Sequence, residues 1–222
     1  LCRPFDFGAN IVTHSLSKYA DGHACSLGGI VVDKGDFDYE ASGKFPGLTT
    51  PDESYHGLVY TKTFGNLAFI TKARTHVMRD FGMMISPMNA WLTNMNLETL
   101  PLRMVKHSEN GQKLAEFLAS HPKVDWVEYP GLPNSSSAAL AKKYLKACGG
   151  VMTFGPKGGR KAAEKLLNSL ELAALVIHVA DARTGVLHPA STTHRQLSDE
   201  EQRATGILPE LIRVSVGLEH ID

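Results

Sequence analysis

Cysteine is scarce in this chain. It has three in 222 residues, Cys2, Cys25 and Cys148, widely spaced and with no C-x-x-C pair. That excludes a disulfide framework and suits a reducing compartment. Net charge is lacking too: Lys+Arg and Asp+Glu number 23 each, with no strongly basic segment. Neither nucleic acid nor an anionic membrane is therefore an expected partner. No window approaches the roughly 18 consecutive apolar residues that a membrane span needs. The opening Leu1-Cys2-Arg3-Pro4-Phe5 has no positive segment with an apolar core behind it and no initiator Met, so no signal peptide is expected, and a fragment or processed product is. Repeats and low-complexity tracts are absent as well. A cytoplasmic globular protein is the expectation, and 222 residues, 43% of them hydrophobic, suffice for one sizeable core or parts of two domains.

Asn10-Ile11-Val12-Thr13 and Gly28 to Val32 read as short buried strands. Gly35 to Ser54, rich in Gly, Asp, Pro and Thr, reads as a long loop, and Tyr55 to Met84 returns to helical spacing. Pro87 opens a long helical pattern to about His121, with Leu97, Leu100, Leu102, Met104, Leu114, Phe117 and Leu118 at near-helical intervals. Pro130 to Ser137 is a loop. Beyond it the pattern predicts helices at Ala138 to Ala147, Gly159 to Leu170 and Ser198 to Thr205. Strands are predicted at Gly150 to Phe154, Leu175 to Val179 and Leu211 to Val216. Ser198 followed by Asp199-Glu200-Glu201 suits a helix start. The alternation argues for an α/β class.

The segment T-H-S-L-S-K-Y-A-D-G-H, Thr13 to His23, sits between the first two strands. In an extended segment Ser15 and Ser17 would share one side and offer two hydroxyls to a phosphate. Lys18 could neutralise that phosphate or condense with a carbonyl. Pyridoxal phosphate asks for both functions within one short reach. By itself, S-x-S-K reads more readily as an ordinary solvated loop.

A wider pattern bears on that choice. S-L-S-K-Y-A-D-G-H resembles the S-x-[ST]-K-x-x-x-G-H motif of the pyridoxal-phosphate enzymes of cysteine and methionine metabolism, and Gly28 to Tyr39 resembles the segment that follows it there. Y-H-G-L-V-Y at Tyr55, T-F-G-N-L-A-F-I at Thr63, the run from Ser86 to Met104 and Y-P-G-L-P at Tyr129 resemble segments of the O-acetylhomoserine sulfhydrylase branch. A-D-A-R-T-G-V-L-H-P-A-S-T-T-H-R-Q-L from Ala180 and L-I-R-V-S-V-G-L-E-H-I-D from Leu211 are similar to the family's C-terminal signatures.

The resemblance implies an aspartate-aminotransferase-like (type I) α/β fold. Residues 1–86 would end the large cofactor-binding domain, 87–121 would be a long connecting helix, and 122–222 a C-terminal α/β domain. It implies pyridoxal 5'-phosphate as cofactor, Lys18 as the Schiff-base lysine, and Ser15 and Ser17 as phosphate ligands. Arg213 would grip the substrate's α-carboxylate, as its planar fork suits, and Thr193 would line the substrate pocket. His178 stands where relatives carry a serine or asparagine on that carboxylate, and a packed core histidine is an equal reading there. Ile177 is apolar where cystathionine-cleaving relatives carry glutamate, which favours a small acylated homoserine. The implied reaction is γ-replacement on O-acetyl-L-homoserine by sulfide or methanethiol, giving homocysteine or methionine plus acetate. Methionine γ-lyase chemistry and a non-catalytic fragment assembling with a separate N-terminal half are the alternatives. The family's ring-nitrogen aspartate, ring-stacking tyrosine and main phosphate-binding turn lie upstream of the matched segments. The expectation is thus a C-terminal half that works with an upstream half in a homo-oligomer, a tetramer.

Other strings carry less. Phe154 to Ala162 lacks phosphate-loop spacing. His14, His23 and Cys25, or His188 and His194, have no recognised zinc spacing, so no metal is expected. Ser191 and His194 lack a G-x-S-x-G elbow.

Overall fold

The computed structural model describes residues 1–222 as two compact units. One unit comprises Arg3–Ser15 and Leu27–Ala90; the other comprises Leu1–Cys2, Leu16–Ser26 and Trp91–Asp222.

In the smaller unit, β1 (Ile11–Ser15) and β2 (Gly29–Asp33) pair antiparallel, from Ile11 opposite Asp33 to Ser15 opposite Gly29. Both strands were expected to be buried, yet Ile11, Ile30 and Val31 are exposed. The ribbon has only two strands, with no further strand on either edge to bury them. The stretch expected to be one long loop contains two short helices, α1 (Tyr39–Ser42) and α2 (Pro46–Thr49). Local capping explains them: Asp38 accepts from the Ala41 N–H at 2.9 Å, Gly43 ends α1 with φ +64°, and Pro46 starts α2. The helical stretch that follows is broken into α3 (Tyr60–Phe64), α4 (Ala68–Lys72) and α5 (Arg79–Phe81). Tyr39, Leu48, Tyr60 and Ala68 form this unit's small core.

The expected single helix from Pro87 is two: α6 (Pro87–Glu98), whose residues from Trp91 onward belong to the larger unit, and α7 (Leu100–Ser120). Pro101, in the first turn of α7, has no N–H to continue the ladder from α6, so the chain is interrupted at Thr99. A five-stranded mixed sheet follows. It is built from β3 (Val124–Glu128), β4 (Val151–Pro156), β5 (Ala174–Leu175), β6 (Gly185–Leu187) and β7 (Ile212–Ser215), in the order β3-β4-β7-β6-β5. Only β5 and β6 run parallel. The remaining helices are α8 (Ala138–Tyr144), α9 (Gly159–Asn168) and α10 (Asp199–Ala204). The helix start expected at Ser198 is present as a reciprocal capping box with Glu201.

The sheet buries Met152, Phe154, Val186, Ile212 and Val214 against Ala115 and Leu118 of α7 and Ala163 of α9. Strand alternation then has a functional consequence. With Ile212 and Val214 turned into the core, Arg213 is left half-buried on the opposite side of β7.

Candidate active site

β1 ends at Ser15, and the next five residues, Leu16–Ala20, coil into a helical turn that breaks at Lys18 (φ −101°, ψ −130°). The extended segment expected to align Ser15 with Ser17 therefore stops at the first of them. Ser15 is exposed, in the smaller unit, and Ser17 is buried, in the larger. Lys18 is half-buried, and no hydrogen bond or ion pair holds its ammonium group; its carbonyl accepts from the Gly22 N–H at 2.7 Å.

What holds the loop after Lys18 is a residue that sequence reasoning did not single out. Asp21 is fully buried. Its carboxylate accepts from the N–H groups of His23 (3.3 Å) and Cys25 (2.9 Å), the Cys25 thiol (3.1 Å), the Ser26 hydroxyl (2.9 Å) and the Asn96 amide (3.2 Å). Burial alone would raise the carboxyl's pKa, but the bonds from Cys25, Ser26 and His23 outweigh it and hold the value at about 2. A folded pKa below the ordinary carboxylate value contributes stability above that ordinary value, and the contribution is lost as pH falls through the folded one. The stability gap between wild type and Asp21→Asn is thus expected to shrink as pH falls from about 5 towards 2. A gap in urea midpoints that stays constant over that range would contradict this role.

Arg103, buried on α7, completes the clamp. It donates to the carbonyls of Tyr19 (2.8 Å), Ala20 (3.4 Å) and Asn96 (2.8 Å) and to the Thr99 hydroxyl (3.2 Å). Gly22 has φ +70°, and a Cβ there would run into the Arg103 guanidinium, so the position demands glycine. The Asp-Gly pair was a legible turn signal; the buried arginine that reads it lay far away in sequence.

Arg213 lies beside His178, and the charge of Lys18 reaches the same imidazole. The Arg213 Nη2 donates to the Ile177 carbonyl at 2.5 Å, which puts it beside His178. His178 has its pKa lowered by burial first and then by the charge of Lys18, with Arg213 pushing the same way and Asp181 and Asp21 opposing. The imidazole is therefore neutral near pH 7, and its buried Nε2 has no partner in the chain. Burial likewise lowers the Arg213 pKa. Ala180, two residues on, has φ +71°, uncommon for a side chain with a Cβ. Its N–H donates to Ser215 Oγ at 2.7 Å, while Ala182 N–H reaches the Gly22 carbonyl at 2.8 Å, tying this loop to β7 and to the Lys18 turn. Thr193 is not drawn into this cluster; its hydroxyl engages His194 Nδ1 at 2.9 Å. An apolar cavity of about 740 Å³ in the smaller unit, lined by Ile11, Val31, Phe37, Phe45 and Phe69 among others, contains none of the expected site residues.

The family described as Cys/Met metabolism PLP-dependent enzyme matches residues 1–222, the whole chain. The chain belongs to this family. A homocysteine synthase of Schizosaccharomyces pombe is 50% identical over 224 residues, which take in 100% of this chain and 52% of that protein. An O-acetyl-L-homoserine sulfhydrylase of Leptospira meyeri is 48% identical, again over 100% of this chain and 52% of the relative. Among solved structures, a Campylobacter jejuni protein described as an O-acetylhomoserine (thiol)-lyase superimposes with a TM-score of 0.94 at 37% identity. It covers 100% of this chain and 53% of its own, and it carries a pyridoxyl-lysine phosphate residue. The fold is thus that of the pyridoxal-phosphate transferases, and the chain spans about half the length of the curated relatives it matches.

The residues present fit the anchoring end of the family's cofactor. An amine free of partners, a neighbouring buried hydroxyl on Ser17 and an unpartnered imidazole nitrogen beside Arg213 suit an aldehyde and an anionic amino acid.

Proposed function

We propose that this chain carries the lysine and the carboxylate-binding half of a pyridoxal-phosphate enzyme that replaces the acetate of O-acetyl-L-homoserine with sulfide or methanethiol. The products are homocysteine or methionine, plus acetate. The observation that carries the reading is the partner-free Lys18 amine, whose charge is felt at His178, the residue next to the carbonyl that Arg213 holds. Pyridoxal phosphate, when bound, supplies the electron sink that makes the substrate's α-carbon acidic.

The chain's own residues do the rest. Lys18 Nζ would hold the cofactor at its aldehyde carbon. The same amine would take the proton from Cα and carry protons between Cα and Cβ as acetate leaves Cγ and the thiol adds there. Arg213 binds the α-carboxylate, with one edge of its guanidinium already steadied by the Ile177 carbonyl. His178 donates from Nε2 to the same carboxylate. Ser17 and, on its sequence pattern alone, Ser15 are phosphate ligands, and on the family pattern alone Thr193 lines the substrate pocket. The upstream half supplies the partners of the pyridine ring, and the working enzyme is a cytoplasmic homotetramer, a location that suits three unpaired cysteines.

Product analysis tests the reaction class. The holoenzyme given O-acetyl-L-homoserine and sulfide should release homocysteine and acetate in equal amounts. Ammonia with a keto acid in their place would assign a γ-lyase instead.

A further inference from the structure

We propose that one buried stripe of α7, formed by Arg103, His107 and Asn110, sets the separation between the Lys18 amine and the Arg213 guanidinium. This makes the three of them positioning residues of the reaction. The inference rests on the roles given to Lys18 and Arg213 above. The three side chains are four and three residues apart, so they form one row along about 10 Å of helix. All three are buried, and each reaches main-chain carbonyls of segments remote in sequence.

The two ends of the row grip different segments. Arg103 donates to Tyr19 and Ala20, the residues immediately after Lys18. His107 Nδ1 donates to the Val216 carbonyl at 2.7 Å, and Asn110 Nδ2 to those of Gly217 (3.1 Å) and Glu219 (2.9 Å), just beyond Arg213. His107 also joins the two, because its ring meets Tyr19 edge-on with centroids 5.1 Å apart. The Gly150 N–H donates to the Tyr19 hydroxyl at 3.1 Å, and the Val216 N–H to the Gly150 carbonyl at 2.7 Å. Tyr19, Gly150, Val216 and His107 thereby close a ring of contacts.

An apolar stripe would bury α7 at lower desolvation cost but would leave its register loose; hydrogen bonds to particular carbonyls fix it. Burial lowers the His107 pKa, so the ring stays neutral and adds no second buried charge beside Arg103. The substrate's carboxylate and α-carbon are one bond apart. Arg213 and Lys18 must therefore be correct relative to each other, and a small error in their spacing costs the reaction as well as the binding.

A double-mutant cycle in the holoenzyme tests this, once borohydride reduction has placed a pyridoxyl group on Lys18 of the wild type. His107→Leu alone is expected to lower kcat/KM for O-acetyl-L-homoserine about 10- to 100-fold. In an Arg213→Ala background the same change is expected to cost no more than about twofold, because the residue it positions is gone. Amide exchange in Lys18 to Gly22 and in Val216 to Glu219 should accelerate together, a readout independent of turnover. Equal losses in the two backgrounds, or faster exchange in only one segment, would overturn the proposal. If His107→Leu does not fold, Asn110→Leu serves the same cycle with the same two outcomes. A wild type without the Lys18 adduct would instead sink the functional reading beneath it.

Discussion

Lys18→Ala in the holoenzyme is expected to lower turnover by at least about 10³-fold, the scale of a lost positioned proton carrier. The geometry gives the reason. Arg103 holds the turn that carries Lys18 through the carbonyls of Tyr19 and Ala20, and Asp21 holds the loop that follows through five hydrogen bonds. The ammonium group itself is left without a partner. An amine on a backbone held in this way and itself bonded to nothing is available for chemistry. Lys18→Arg should be equally inactive, because a guanidinium keeps the charge but cannot give up its proton near pH 7. Retention of Arg103, Asp21 and the core should leave the fold intact, so melting temperatures close to wild type are expected beside the lost rate. Wild-type-like turnover in either variant would remove Lys18 from the mechanism.

Arg213→Ala is expected to raise KM for the amino-acid substrate about 100-fold with a smaller change in kcat. A bidentate charged pair with a carboxylate is worth roughly 3 kcal/mol, and each 1.4 kcal/mol is a factor of ten. Arg213 Nη2 is engaged by the Ile177 carbonyl, while its other donors have no partner within the chain and face the side of β7 away from the core. Arg213→Lys keeps the charge but not the fork, and it should recover only part of the loss. Steady-state kinetics over a range of O-acetyl-L-homoserine concentrations reads the split. An unchanged KM in Arg213→Ala would contradict the assignment.

The candidate site segment was legible through its resemblance to a family motif, since S-x-S-K alone reads as a solvated loop. Lysine, hydroxyl and Gly-His fall within nine residues, and the strand alternation around Arg213 separates it from Ile212 and Val214 without reference to anything remote. Most elements after Pro130 were also legible, since helical and strand periods there are clean and the Ser198 cap is strong. The buried face of α7 was not. The helical extent was close, but Leu102 and Phe117, read as its apolar positions, are exposed, while Arg103, His107, Asn110 and Gly111 are buried. Gly111 is there because a Cβ would collide with the Gly149 carbonyl, and the polar three are there because carbonyls await them. Periodicity weighs side chains by apolarity and cannot see an acceptor supplied by a segment a hundred residues away. Asp21 was missed although four of its five bonds come from residues within five positions of it; only the Asn96 amide is brought by the fold from far away. Ile11, Ile30 and Val31 of β1 and β2 show the opposite error, in which apolar residues of a two-stranded ribbon stay exposed.

Borohydride reduction of the holoenzyme followed by peptide mapping tests the central claim most directly. A pyridoxyl phosphate mass on the peptide containing Thr13 to His23, located at Lys18, is the predicted result. A reduced cofactor on any other lysine, or none on a holoenzyme that turns over, would contradict the account.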